Sequence, residues 1–244
     1  MMRRSLLALA LMLMTACGTP IENASQQLKE QVRLGDPLAQ QTYDEHLEIL
    51  ESAEALPIWV DALANDESAQ VKHWAAQIIG NIADASALPA LTAAMSDSRS
   101  VRDAAVAAIR QFDDAAAAGA FAQALAEGTR DAQVAALSQL SRLETGAELA
   151  VGAIAITASS SDELVARTAI DTLSDIASDE SCAAIAAVAI NAALDAEMRT
   201  YAVRALGRLQ TDASAAQIDA VMATLQDADD DTSTDLLALA QSLR

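Results

Sequence analysis

The 244-residue chain is 52% hydrophobic but only 2% aromatic, so Ala and Leu must build its core. Eight glycines and four prolines are too few turn signals for a many-stranded β protein, and no alternating β-branched runs occur, which leaves an all-α fold. A net charge of −20, from 15 basic against 35 acidic residues, excludes nucleic acid as a partner, because phosphate binding needs clustered Lys and Arg.

At the N-terminus, MMRRSLLALALMLMTACGTP places Arg3 and Arg4 ahead of an apolar run from Leu6 to Met14. The run is too short for a permanent bilayer span and suits a signal peptide. It ends in Met14, Thr15, Ala16 and Cys17, which resembles the bacterial lipobox: an apolar residue, two small ones, then the cysteine that is acylated and becomes the new N-terminus. Met14 stands where leucine is usual. The resemblance implies a lipoprotein signal peptide over residues 1–16 that is removed, lipidation at Cys17, and a lipidated tether over 17–24. The alternative is an ordinary secretory signal with an incidental cysteine, or an uncleaved anchor. Gly18, where aspartate would be the usual inner-membrane retention signal, implies a lipoprotein of the bacterial envelope facing the periplasm from the outer membrane. Removal of Arg3 and Arg4 leaves 13 basic against 35 acidic residues, a mature charge of −22. Such a body is repelled by anionic lipid, so the acyl chains must supply the attachment, and it favours a basic or neutral protein partner. Cys182, alone in SCAAIAAVAI, then has no disulfide partner within the molecule and reads as a small buried hydrophobe.

Residues 25–244 read as a single body of helices. Ser25–Leu34 and Ala39–Leu50 make a degenerate helical pair, a polar cap over one end. Six apolar helices follow, over Leu56–Ala64, Leu88–Met95, Ala120–Ala126, Ala147–Ile156, Cys182–Ile190 and Gln217–Leu225. Pro57 and Pro89 fall in a first turn, where proline has no hydrogen bond to lose. After each comes a copy of one pattern, clearest as QVKHWAAQIIGNI (70–82), SVRDAAVAAIRQF (100–112), LVARTAIDTLSDI (164–176) and EMRTYAVRALGRL (197–209). The first apolar residues are Val71, Val101, Thr129, Val165, Met198 and a degenerate Thr232, at steps of 30, 28, 36, 33 and 34 residues. Periods of this size mean stacked supersecondary units. Counted from that residue, offsets 0, 4, 8 and 11 share one helical face, as in Val71, Ala75, Ile79 and Ile82 or Val101, Ala105, Ile109 and Phe112, and that face is expected to be buried.

An Asp-rich turn, Val-Arg/Lys, Ala and a Leu/Ile-Gly pair, as in NDESAQVKHWAAQIIG and LDAEMRTYAVRALG, resemble HEAT repeats, in particular the short type named after phycobilisome lyases, over roughly residues 50–244. The resemblance implies a right-handed α-solenoid of about six to seven stacked helical hairpins with the second helices on the concave side. It also implies a charge ladder in which Lys72, Arg102, Arg130 and Arg199 alternate with the turn acids Asp66, Asp97, Glu127 and Asp195. The same acids read equally well as helix N-caps, with the basic side chains solvated.

Catalytic and metal constellations are not evident. His46 and His73 lie 27 residues apart without a second His or Cys at ligand spacing, so no metal site is expected at either. HEAT-like hydroxylases hold iron through recurring His-Glu pairs, and the nearest feature here, Asp44–His46, occurs once. The run Asp227–Asp235 begins like a calcium loop, but Thr232 stands where Gly is required and Ala238 where Glu closes the loop, so it reads as a turn that caps the last helix. No cofactor is implied and the chain is not expected to be an enzyme.

What remains is surface. Offsets 3, 6 and 10 of each second helix point away from the buried face. They place Trp74, Gln77, Asn81, Gln111, Gln139, Asp171, Asp175, Tyr201, Arg204 and Arg208 along a groove, with Ala104, Ala107, Ala132 and Ala135 paving its middle. The expected function is a lipid-anchored envelope scaffold, monomeric by itself, that accepts a peptide or helix of a protein partner in this groove. Trp74 and Tyr201 read either as anchors for that ligand or as shields between hairpins. The alternative functions are a bilin-lyase-like small-molecule chaperone or enzyme subunit, and a purely structural envelope spacer.

Overall fold

A computed structural model of the protein describes residues 18–226 and 230–244, and every described element is helical. The signal-peptide and Cys17 expectations lie outside the described residues, as does the start of the Asp227–Asp235 run. Helix α1 (Pro20–Leu34) opens on a capping box in which Thr19 and Glu22 bond each other's backbone N–H, with proline in its first turn. The stretch read as the second half of that pair breaks at His46 into α2 (Ala39–Glu45) and α3 (Leu47–Leu50). Six hairpins follow: α4 (Leu56–Asn65) with α5 (Ala69–Ile82), α6 (Leu88–Ala94) with α7 (Arg99–Ile109), α8 (Asp114–Glu127) with α9 (Arg130–Leu140), α10 (Val151–Thr157) with α11 (Glu163–Ile176), α12 (Asp179–Ile190) with α13 (Ala196–Leu209), and α14 (Asp212–Gln226) with α15 (Asp231–Ser242). The chain packs as two compact units, one up to Phe112 and one from Asp113.

Acidic and hydroxyl side chains start these helices. Ser68, Asp113, Asp162, Ser178, Asp195 and Asp230 each accept a backbone N–H of the first turn, which satisfies a donor that the helix leaves free. The carboxyls of Asp162 and Asp230 are held below the usual range, each led by a bond to the capped residue. The described part of the acidic run therefore caps α15, as its turn reading expects.

Burial follows the repeat at offsets 0, 4 and 8: Val71, Ala75 and Ile79, Val101, Ala105 and Ile109, and Val165, Ala169 and Leu173 are all at most 1% exposed. Offset 11 follows only in the Thr129 copy, where Leu140 is fully buried. In the other copies it does not: Ile82 and Ile176 are half-buried at the last residue of their helices, and Phe112 is half-buried beyond α7 in a turn. Offset 3 is also corrected in mid-chain, since Ala104 and Ala132 are buried rather than paving an open surface.

Both readings of the charge ladder are realised, on different residues. Lys72 bonds Asp97 at 2.7 Å, Arg33 bonds Asp66 at 2.8 Å and Arg130 bonds Asp162 at 2.6 Å, each joining one hairpin or cap to the next. Asp195 instead caps Met198. Arg199 is neither laddered nor solvated: it is 5% exposed, and its Nε donates to the Ala189 carbonyl at 3.0 Å and its guanidinium reaches Ser233 Oγ at 3.5 Å, tying α12, α13 and α15 together.

Candidate binding face of the second helices

In the N-terminal unit, α5 and α7 lie side by side and the predicted positions Trp74, Gln77, Asn81 and Gln111 converge on one cavity of about 300 Å³. Alanines and Gly80 form much of its wall, so the helices approach closely beneath it. Tyr43 of α2 is the residue that sequence reasoning missed. Its ring meets Trp74 edge-to-face, with centroids 5.5 Å apart and planes at 77°, the arrangement favoured by aromatic quadrupoles. The Tyr43 hydroxyl donates to Glu51, and Asn81 Nδ2 donates to Tyr43 Oη at 3.1 Å and to Glu51. Burial first, then the bond to Glu51, pushes the Tyr43 phenol up to about 12, so it stays protonated and remains a donor to Glu51. Trp74 thus both shields a neighbouring element and remains half-exposed at a cavity.

In the C-terminal unit, Tyr201 of α13 centres a charged arrangement. Its hydroxyl donates to both carboxylate oxygens of Asp171, at 2.7 and 2.8 Å. The guanidinium carbons of Arg167 and Arg208 lie 5.1 and 5.5 Å from its ring centroid, within cation–π range. Arg208 also reaches Asp171 at 3.3 Å, while Arg167 binds Glu163 at 2.8 Å and Glu197 at a short contact. Arg167, absent from the predicted positions, and Arg204 line a cavity of about 420 Å³ with Thr200, Tyr201 and Glu197. Asp175 stands outside that lining, and burial followed by the nearby Asp171 charge pushes its carboxyl up. Gln139 joins neither cavity: it is half-buried and its Oε1 is buried without a hydrogen-bond partner.

Other candidates resolve locally. His46 Nδ1 contacts the Thr42 carbonyl and His73 Nδ1 that of Ser100, both at 3.0 Å. Among the described residues, no three His, Cys, Asp or Glu side chains gather as a metal-binding group, and no helix is long and apolar enough to cross a membrane. Cys182 is fully buried, and burial pushes its thiol up. Away from the second helices, Leu149 and Ile156 are 71% and 79% exposed, aliphatic surface that the repeat pattern gives no reason to expect.

Residues 56–141 match the family model for HEAT repeats. The match takes in α4 through α9, and a hairpin with the same buried second-helix face recurs beyond it, so the chain is an all-α helical repeat protein. No curated protein matches the chain. Among solved structures it is similar to human deoxyhypusine hydroxylase in complex with glycerol, at 19% identity over 96% of this chain and 88% of that one, with a TM-score of 0.40. It is similar as well to an engineered protein of the Northeast Structural Genomics Consortium, at 18% identity over 77% and 97% with a TM-score of 0.41. A third is the complex of CpcE and CpcF of phycocyanin lyase from Nostoc sp. PCC7120, at 17% identity over 94% and 97%, also with a TM-score of 0.41.

Proposed function

We propose that the protein is a non-catalytic scaffold of the bacterial envelope, anchored by lipid at Cys17 and facing the periplasm from the outer membrane, which binds another protein through the face of its second helices. One observation carries this reading: in each unit the outward side chains of the second helices enclose a cavity built around an aromatic residue, Trp74 in one and Tyr201 in the other. Aromatic anchors in desolvated pockets are where interface energy concentrates, and small neighbours let a partner's backbone come close. The mature charge of −22 selects a basic or neutral partner. The anchor is supported by the Met14–Cys17 sequence; the tether expected over 17–24 is shorter than that, because a capped helix already begins at Pro20.

The experiment is fractionation with cross-linking in native envelopes. Cys17→Ser is expected to move the protein to the soluble fraction or to leave the signal uncleaved, with helical circular dichroism unchanged, because acyl chains supply the attachment. An unmodified Cys17 in membrane-bound protein, read by mass spectrometry, overturns the anchor. Failure to cross-link any stoichiometric protein partner overturns the scaffold.

A further inference from the structure

None of the eleven residues that line the Trp74 cavity is charged, in a chain of which 20% is Asp, Glu, Lys or Arg. Chance alone would place about two charges there, and the Tyr201 cavity has three among its six lining residues. Instead, four side chains carry a primary amide: Gln40, Gln77, Asn81 and Gln111. Gln77 and Gln111 are exposed and bond through their side chains to no other described residue. Asn81 spends its N–H groups on Tyr43 and Glu51, which leaves its Oδ1 as an acceptor. Two nearly perpendicular aromatic rings complete the wall.

We propose that this cavity binds an uncharged pyranoside, one or two rings of a neutral glycan. A pyranose presents an apolar C–H face that packs on an aromatic ring, and a rim of hydroxyls that each donate and accept. Amides answer that rim, since one Gln or Asn offers both a donor and an acceptor in fixed geometry. A charged ligand group would find no countercharge among the lining residues and would lose hydration without return. About 300 Å³ stands at the small end of ligand cavities and suits a compact molecule. A peptide running across repeats would need the amide row to continue, and it does not: offset 10 passes to Gln139, whose Oε1 is buried, then to Asp175 and Arg208. Glu51, outside the lining, acts as a positioning residue by holding Tyr43 and Asn81.

The inference goes beyond the protein-partner reading and does not rest on it. Its test is calorimetric titration of the purified protein, as its host processes it, with maltotriose, cellotriose and chitotriose, and with trigalacturonic acid and alanine tripeptide amide as charged and peptidic controls. Tryptophan emission gives a second readout, because Trp59 is fully buried with its indole N–H on the Leu50 carbonyl, whereas Trp74 lines the cavity. At least one neutral trisaccharide is expected to bind saturably. Trp74→Ala should abolish that binding, and Gln111→Ala should weaken it by about tenfold. Gln111 is exposed and lies beyond the end of α7, so its replacement leaves packing intact. Gln123→Ala, exposed on α8 in the other unit and lining neither cavity, should leave saccharide binding unchanged. Co-sedimentation with insoluble chitin or cellulose separates a polymer-borne glycan from a free sugar, and either supports the proposal. It is overturned if no neutral saccharide binds, if the anionic sugar or the peptide binds more tightly, or if Gln111→Ala has no effect. Partner cross-linking that survives the loss of saccharide binding leaves the scaffold reading standing alone.

Discussion

A Cβ at Gly80 would stand 2.9 Å from both Cα and Cβ of Ala108, so α5 and α7 reach their spacing only because this position has no side chain. Gly119, within α8, has no atom within 4 Å of where its Cβ would be. The two glycines therefore respond to the same substitution with opposite sign. Gly80→Ala is expected to destabilise by about 1–3 kcal/mol, the cost of pushing a helix backbone aside. Gly119→Ala should stabilise by about 0.5–1 kcal/mol, because only the entropy of the unfolded glycine changes. Chemical denaturation of both variants checks this, and like signs would refute the packing account. The Ile-Gly pair was legible in the sequence as a repeat mark, but its reason was not, since the atom it avoids belongs to the next hairpin. Tyr43 was illegible for a related cause: it sits in the degenerate pair, where no repeat register assigns it a neighbour. Arg199 looked like a solvated rung because its acceptor, a backbone carbonyl of α12, leaves no trace in residue types.

Helix by helix, the pattern 0, 4, 8 was enough to find the buried face, since an apolar residue on each turn has only one way to leave water. The fourth position held only at Leu140 and failed at Ile82, Phe112 and Ile176, because it falls at or beyond the helix end, where periodicity no longer fixes burial. Within each unit a hairpin buries that face against its neighbours, so a single defect is felt beyond its own helix. Ile109→Asp places an unpaired carboxylate at a fully buried site and should cost about 4 kcal/mol or more. Asp103→Ala, on the exposed side of the same helix and paired only loosely with Arg99 at 3.7 Å, should change stability by less than about 0.5 kcal/mol. Urea midpoints of the two variants decide it: losses of similar size would show that the phase of α7 is misassigned. The inter-hairpin pairs of Lys72 with Asp97 and Arg130 with Asp162 add register more than energy, because all four side chains keep solvent contact.

On the scale of the molecule, the two units carry the same hairpin but unlike chemistry on the same helix face. The N-terminal cavity is neutral and amide-lined, and the C-terminal one is framed by arginines paired with carboxylates. Composition foretold the helices and the acidity, and repeat phase foretold which residues face outward. Neither could tell that Trp74, Gln77, Asn81 and Gln111 share one cavity while Gln139 lines neither that one nor the Tyr201 cavity, because that depends on how far each helix runs before its turn. The central claim is that the second-helix face carries the partner. The measurement that tests it most directly is capture of the native partner from solubilised envelopes by lipidated protein, compared across face variants whose folding is checked by circular dichroism. Trp74→Ala should weaken capture by about 2 kcal/mol or more, as interface anchors do. Arg204→Glu should change chiefly the association rate and its salt dependence if the partner's contact is charged. Gln123→Ala, exposed on the first helix α8, should leave capture intact. Loss of capture in Gln123→Ala with full capture in Trp74→Ala and Arg204→Glu would contradict the account.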